Sequence, residues 1–173
     1  MKRWILLLGV GLALLGLSPE AAATEVGRGR NFGLGVAFGS PTSLVAKYFL
    51  SRENALDFGL GFWRYGTCPG NDNRPFCDTY RPFSLVSFNM DYLWQEPIVA
   101  GATASLDWHI GAGGRVWAGG GDFALAARMP VGLDLGFRKP SFLEVFLELA
   151  PAVYIVPGVY LDLEAFLGVR FYF

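Results

Sequence analysis

Lys47, Asp57, Asp91, Asp107, His109, Arg115, Arg128, Asp134, Glu144, Glu148, Asp162, Glu164 and Arg170 are the residues of this sequence with chemistry to offer. Carboxylates, guanidinium groups and one imidazole suit three tasks. They can move protons, line a path for ions, or pair with one another to fill a polar interior. Glu144 and Glu148 are an acid pair of the kind general acid–base catalysis uses. Four residues apart on a strand they stand about 13 Å apart, too far to share a proton. His109, the single histidine, is the candidate general base. An enzyme that modifies lipid from within a barrel needs a serine beside that histidine, and no serine shares its face on the stretch from Leu106 to Trp117. Cys68 and Cys77 lie in one polar stretch remote from His109, and two thiols need further ligands to hold a metal. The glycines alternate within apolar segments, and no Lys-Ser/Thr step opens a phosphate-binding helix. With a net charge of −1, nothing points to nucleic acid. The expectation is therefore a chain that is not an enzyme, with no metal and no cofactor.

The elements that carry these residues follow from a period of two. Val159 to Phe173 reads VYLDLEAFLGVRFYF: every odd position is apolar, and the even positions hold Tyr160, Asp162, Glu164, Phe166, Gly168, Arg170 and Tyr172. Successive side chains of a strand point to opposite faces. From Phe123 to Phe137 the odd positions carry no charge, while Arg128, Gly132 and Asp134 take the other face. Pro130 shares that other face and has no N–H for a ladder, so a bulge is expected there. The same alternation recurs in Gly33–Gly39, Leu44–Leu50, Ala55–Tyr65, Ser84–Trp94, Leu106–Trp117 and Leu143–Leu149. Turn-forming stretches separate them, and the longest is 66–82, rich in Pro, Gly, Asn and Asp. That gives about eight strands, an even number.

A soluble lipocalin-like barrel turns apolar residues inward and polar ones outward. Here the charge-free face is uninterrupted and the opposite face holds the charges, which is the apolar-out, polar-in order of transmembrane barrels. Charged residues make up only 17% of the chain, yet no stretch after residue 23 is long enough for a spanning helix. Lys2 and Arg3, then an apolar run from Trp4 to Leu17, then Ala21 to Ala23, read as a secretory signal peptide over 1–23. In an exported chain Cys68 and Cys77 read as one disulfide. The expected architecture is all-β: an eight-stranded antiparallel up-and-down transmembrane β-barrel over 24–173, in a bacterial outer membrane. Both termini then lie in the periplasm and the 66–82 loop lies outside. Trp94, Trp108, Phe137, Phe171 and Phe173 then fall near the periplasmic rim, where aromatic girdles sit.

Eight strands leave an interior just wide enough for side chains to fill. Charges held there must pair, because a buried unpaired charge is costly. The thirteen residues named first are therefore expected to form a lumen charge network, with Arg128 pairing to an inward carboxylate and Glu148 the first candidate.

Several stretches resemble a known group, the small bacterial outer-membrane β-barrel proteins. They are GLGVAFGSPTSLVAKYFL (33–50), NALDFGLGFW (54–63), RMPVGL (128–133), LEVFLELAP (143–151) and GVRFYF (168–173). The group is similar to the wider set of eight-stranded barrels exemplified by OmpX and the OmpA membrane domain. The resemblance implies fold and place alone, since no catalytic residues come with it. It also implies that Phe171 and Phe173, at an aromatic C-terminus, serve as an assembly signal read by the barrel-assembly machinery. The 66–82 and 119–122 stretches depart from the group's pattern. The leading expectation is a closed polar lumen with a structural or loop-displaying role, its partners being outer-membrane lipid and an extracellular ligand met through the 66–82 loop. A narrow pore for small solutes is the alternative, and a lipid-modifying envelope enzyme ranks below it.

Overall fold

The computed structural model describes residues 30–39, 41–67, 81–119 and 121–173, with the side chains of 63–67, 81–84 and 122 left aside. The signal segment 1–23, Cys68 and Cys77 lie outside the described residues.

Every described element is a strand. They are β1 (Phe32–Gly39), β2 (Thr42–Phe49), β3 (Asn54–Thr67), β4 (Arg81–Ala100), β5 (Ala104–Gly119), β6 (Asp122–Arg128), β7 (Val131–Phe137), β8 (Leu143–Val156) and β9 (Tyr160–Tyr172). All pairings are antiparallel and join one nine-stranded sheet. The sheet closes on itself, because β9 pairs with β1 as well as with β8. A ring satisfies the ladder groups that an open sheet would leave bare at its two edges.

The count of nine, where eight were expected, comes from one interruption. β6 and β7 share the gap between β5 and β8. The break falls at Met129 and Pro130, but the expected bulge is not there. Gly113 faces Arg128 and Ile110 faces Val131, so no residue is inserted against β5. Arg128 faces Ala152 and Val131 faces Leu149, so none is inserted against β8. Proline removes only one donor from the ladder. Its carbonyl still accepts from Gly111 N at 2.8 Å, and Met129 N donates to Pro151 O at 3.0 Å. The proline ring points inward, where Gly111 leaves it room: a Cβ on Gly111 would lie 3.1 Å from Pro130 Cγ. The irregularities of register fall elsewhere, at Pro97–Val99 on β4 and at Leu125–Ala126 on β6.

One rim holds Phe32 and Phe173, joined by a 2.9 Å bond from Phe173 N to Phe32 O. The turns at 50–53, 101–103 and 138–142 share this near rim. Ser51 organises the first of them, its Oγ accepting from the backbone N of Glu53 and Asn54. The far rim holds the strand ends at Gly39, Thr42, Thr67, Arg81, Gly119, Asp122, Val156 and Tyr160. Gly121 takes a φ of +92°, a left-handed conformation that glycine adopts without steric cost.

Alternation sorts the two faces as the sequence does. Outward residues such as Leu34, Leu44, Phe62, Phe88, Met90, Leu147 and Leu167 are exposed. Among the described side chains, Glu96 near the end of β4 is the only Asp, Glu, Lys or Arg at an outward strand position. The inward face is buried, and it holds the charges.

Candidate functional site

The site is the interior of the ring. Lys47, Asp57, Asp91, Asp107, His109, Arg115, Arg128, Asp134, Glu144, Glu148, Glu164 and Arg170 are all buried there. Asp162 is not. It shares the parity of Glu164 but is exposed, and its Oδ1 accepts from Leu163 N at 2.9 Å. The reason is strand length. β1 ends at Gly39, opposite Phe166, so no β1 residue stands beside Tyr160–Ala165. Parity gives a face, whereas enclosure needs a neighbouring strand at that height.

The ion pairs run across the ring more than along it. Lys47 on β2 stands beside Asp57 in register, yet its Nζ lies 2.9 Å from Asp134 Oδ2 on β7. Asp57 is held instead by Arg170 of β9, Oδ1 to Nη2 at 2.7 Å. The other arm of Arg170 lies 3.1 Å from Glu144 and 3.6 Å from Asp134. Arg115 of β5 meets Glu164 of β9 at 2.5 Å. Arg128 does reach Glu148, Nη2 to Oε1 at 2.5 Å, with Glu164 at 3.3 Å and Asp91 at 3.4 Å. That contact is diagonal, since Arg128 is directly opposite Ala152 and Glu148 is opposite Gly132.

His109 sits between two acids. Its Nδ1 is 2.7 Å from Asp134 Oδ2 and its Nε2 is 3.4 Å from Glu148 Oε2. The β5 strand starts at Ala104, earlier than the alternation alone suggests, and this turns Ser105 inward on the same face as His109. Four residues along a strand is about 13 Å, so Ser105 is no hydrogen-bonding partner for the ring. His109 is thus occupied by carboxylates on both nitrogens, with no hydroxyl nucleophile in the contact set described for it.

Other inward residues complete the network. Tyr172 donates its hydroxyl to Glu144 at 3.1 Å. Asn89 donates to Asp91 at 2.8 Å and accepts from Arg115 at 3.0 Å. Gln95 donates to Asp107 at 3.1 Å. The Arg170 guanidinium lies 3.7 Å from the centre of the Phe146 ring, and Arg115 and Arg128 lie 5.3 and 5.6 Å from Phe166. An aromatic face attracts a cation most where water is excluded. These six residues, Asn89, Gln95, Phe146, Phe166, Tyr172 and Ser105, escape a search for charges alone. Their shared parity with the charged residues is the signal that finds them.

Apolar clusters lie toward both ends of the stack. Phe49, Ala55, Leu93 and Tyr172 pack together toward the near rim, and Ala126, Ala152 and Tyr154 toward the far one. Trp117 donates its indole N–H to Tyr154 at 2.8 Å, and Tyr154 stacks on Tyr160 at 4.5 Å. Between the layers, a cavity of about 10 Å³ is lined by Asp57, Asn89, Arg115, Arg128, Glu148 and Phe166 among others. That is room for about one water molecule.

Glycines on one strand make sockets for the large groups of the next. A Cβ on Gly33 would press on Tyr172, one on Gly59 on Asn89, and one on Gly168 on Phe146. At Gly132 it would meet the backbone O of Leu147 first, and would lie 2.5 Å from His109 Cε1 and 2.6 Å from Nε2. Gly132→Ala should therefore push the imidazole off its two carboxylates. The expected loss is about 1–3 kcal/mol of unfolding free energy, the usual range for overpacking. Urea titration of the folded protein reads it, and a midpoint equal to wild type would mean that the imidazole and the Leu147 carbonyl both give way freely.

Comparison of the chain with family models, with curated proteins and with solved structures finds no match. What the ring does is therefore argued from its own geometry.

Proposed function

We propose that this protein is an eight-stranded transmembrane β-barrel of a bacterial outer membrane, with β6 and β7 forming one interrupted strand. Its role is structural or loop-displaying, and it is not an enzyme. One observation carries the membrane reading. The ring turns an apolar, almost charge-free face outward and encloses its charges, the reverse of a soluble barrel. The outward aromatics support it, since Trp94, Trp108, Phe137 and Phe171 all belong to strand segments nearest the near rim. On this reading the near rim faces the periplasm, and the loop expected at 66–82, cut to 68–80 because β3 runs to Thr67 and β4 starts at Arg81, faces out, where it displays a surface for an extracellular ligand or partner. The resemblance to small outer-membrane barrels fits the same picture. The same reading includes a cleaved signal over 1–23, a Cys68–Cys77 disulfide in the outer loop, and an assembly signal at Phe171 and Phe173.

The lumen reading follows from the width of the ring. Guanidinium groups from one wall touch carboxylates of another, and a cavity beside them has room for about one water. Such an interior supports a wall rather than a channel. The competing reading, a narrow pore, makes a different forecast for Arg128→Ala. In a closed lumen the change strands Glu148 and leaves bilayer current absent, while unfolding free energy falls by about 3–5 kcal/mol if the site is dry. In a pore, water takes over the arginine's partners, so stability stays near wild type and conductance or ion preference changes. Urea unfolding in lipid vesicles and single-channel recording on both proteins separate the two. Unchanged stability with an altered current would overturn the closed lumen.

A further inference from the structure

We propose that the near rim carries a binding site for one anionic phospholipid, formed by Phe142, Phe171, Phe173 and Arg30. The proposal rests on the membrane reading above and adds a lipid class and a place to it. A groove of about 450 Å³ opens there, lined by Arg30, Phe142, Phe171, Tyr172 and Phe173. That is within the usual range for a small-molecule site. Phe142 and Phe171 stack with their rings 6.1 Å apart, and both are exposed, as is Phe173. Four aromatic side chains and one guanidinium line the groove. Arg30 Nη1 lies 3.3 Å from Ser141 Oγ, which fixes the guanidinium against the 138–142 turn. That turn adds Arg138 and Lys139 and holds no acid. The exposed acids described near this rim are Glu53, in the β2–β3 turn, and Glu96, near the end of β4. An apolar slot with a guanidinium in its lining matches an amphiphile with an acyl chain and a phosphate. A guanidinium also binds phosphate with two parallel N–H bonds, which a zwitterionic headgroup partly neutralises. The lipid would belong to the leaflet facing the near rim, with its chain along Phe171 and Phe142 and its phosphate at Arg30.

The test uses the full chain folded into phosphatidylcholine vesicles doped with phosphatidylglycerol, then released in mild detergent for native mass spectrometry. Retention of phosphatidylglycerol over phosphatidylcholine is expected. It should drop about fivefold in Arg30→Gln, as a cation near an anionic surface contributes on that scale. Arg52→Gln, on another turn of the same rim, should leave it unchanged. A photo-reactive phenylalanine analogue at Phe142 should form adducts with lipid. Adducts with residues 24–29 of the same chain, or with a second copy, would show another occupant and overturn the proposal. So would equal retention of the two lipids by a protein that inserts normally. Failure to insert at all, read by protease protection in the vesicles, would overturn the membrane reading and this site with it.

Discussion

Arg170→Ala should cost about 3–5 kcal/mol of unfolding free energy, the range for removing one partner from a buried ion cluster. Arg170 is 0% exposed and serves three acids, with Asp57 at 2.7 Å, Glu144 at 3.1 Å and Asp134 at 3.6 Å. Its guanidinium also covers the Phe146 ring. Truncation leaves Asp57 and Glu144 buried without their main cation, and that desolvation is what the measurement reads. Arg170→Lys should recover only part of the loss. A lysine is a point charge on a flexible stem and cannot span two carboxylates on β3 and β8 as the planar fork does. Replacing Arg170, Asp57 and Glu144 together by leucine should recover more, because buried ion clusters can often be exchanged for apolar packing at little cost. Urea unfolding in vesicles measures all three proteins. A loss below about 1 kcal/mol in Arg170→Ala would place the group in the range of solvent-exposed pairs, and the interior could not then be dry.

Leu147→Arg should cost about 2–4 kcal/mol in a bilayer, the range for arginine on the lipid face at mid-depth. Leu147 is 50% exposed and lies midway along its ladder, between Leu133 of β7 and Leu167 of β9. The same change at Leu161, near the far-rim end of β9, should cost only about 0–1 kcal/mol, because the penalty falls away toward the membrane surface. The gradient is the discriminating quantity. In water an exposed leucine gains nothing from lipid, and an arginine there would raise solubility at both positions. Equal effects at Leu147 and Leu161 would therefore contradict a lipid-facing belt, whatever their size.

Much of this ring is legible in the sequence because parity is a local property. Backbone sterics force successive side chains of a strand to opposite faces, so the list 159, 161, 163 against 160, 162, 164 already separates wall from interior. That is why Lys47, Asp134 and Arg170 could be assigned inward without knowing any neighbour. Which carboxylate each meets is another matter, and only the tertiary structure decided it. Lys47 passes over Asp57, its cross-strand neighbour, for Asp134 on the opposite wall, because closure of the ring brings that wall within a side chain's reach. Asp162 has the inward parity and stands exposed, because β1 is too short to cover it. Pro130 breaks the ladder without shifting register, because Gly111 across the strand pair accepts its ring. In each case the sequence determined the direction a side chain takes, through steric rules that act over two residues. What it meets there depends on strand length, stagger and curvature, which are set by hydrogen bonding between segments up to the length of the chain apart.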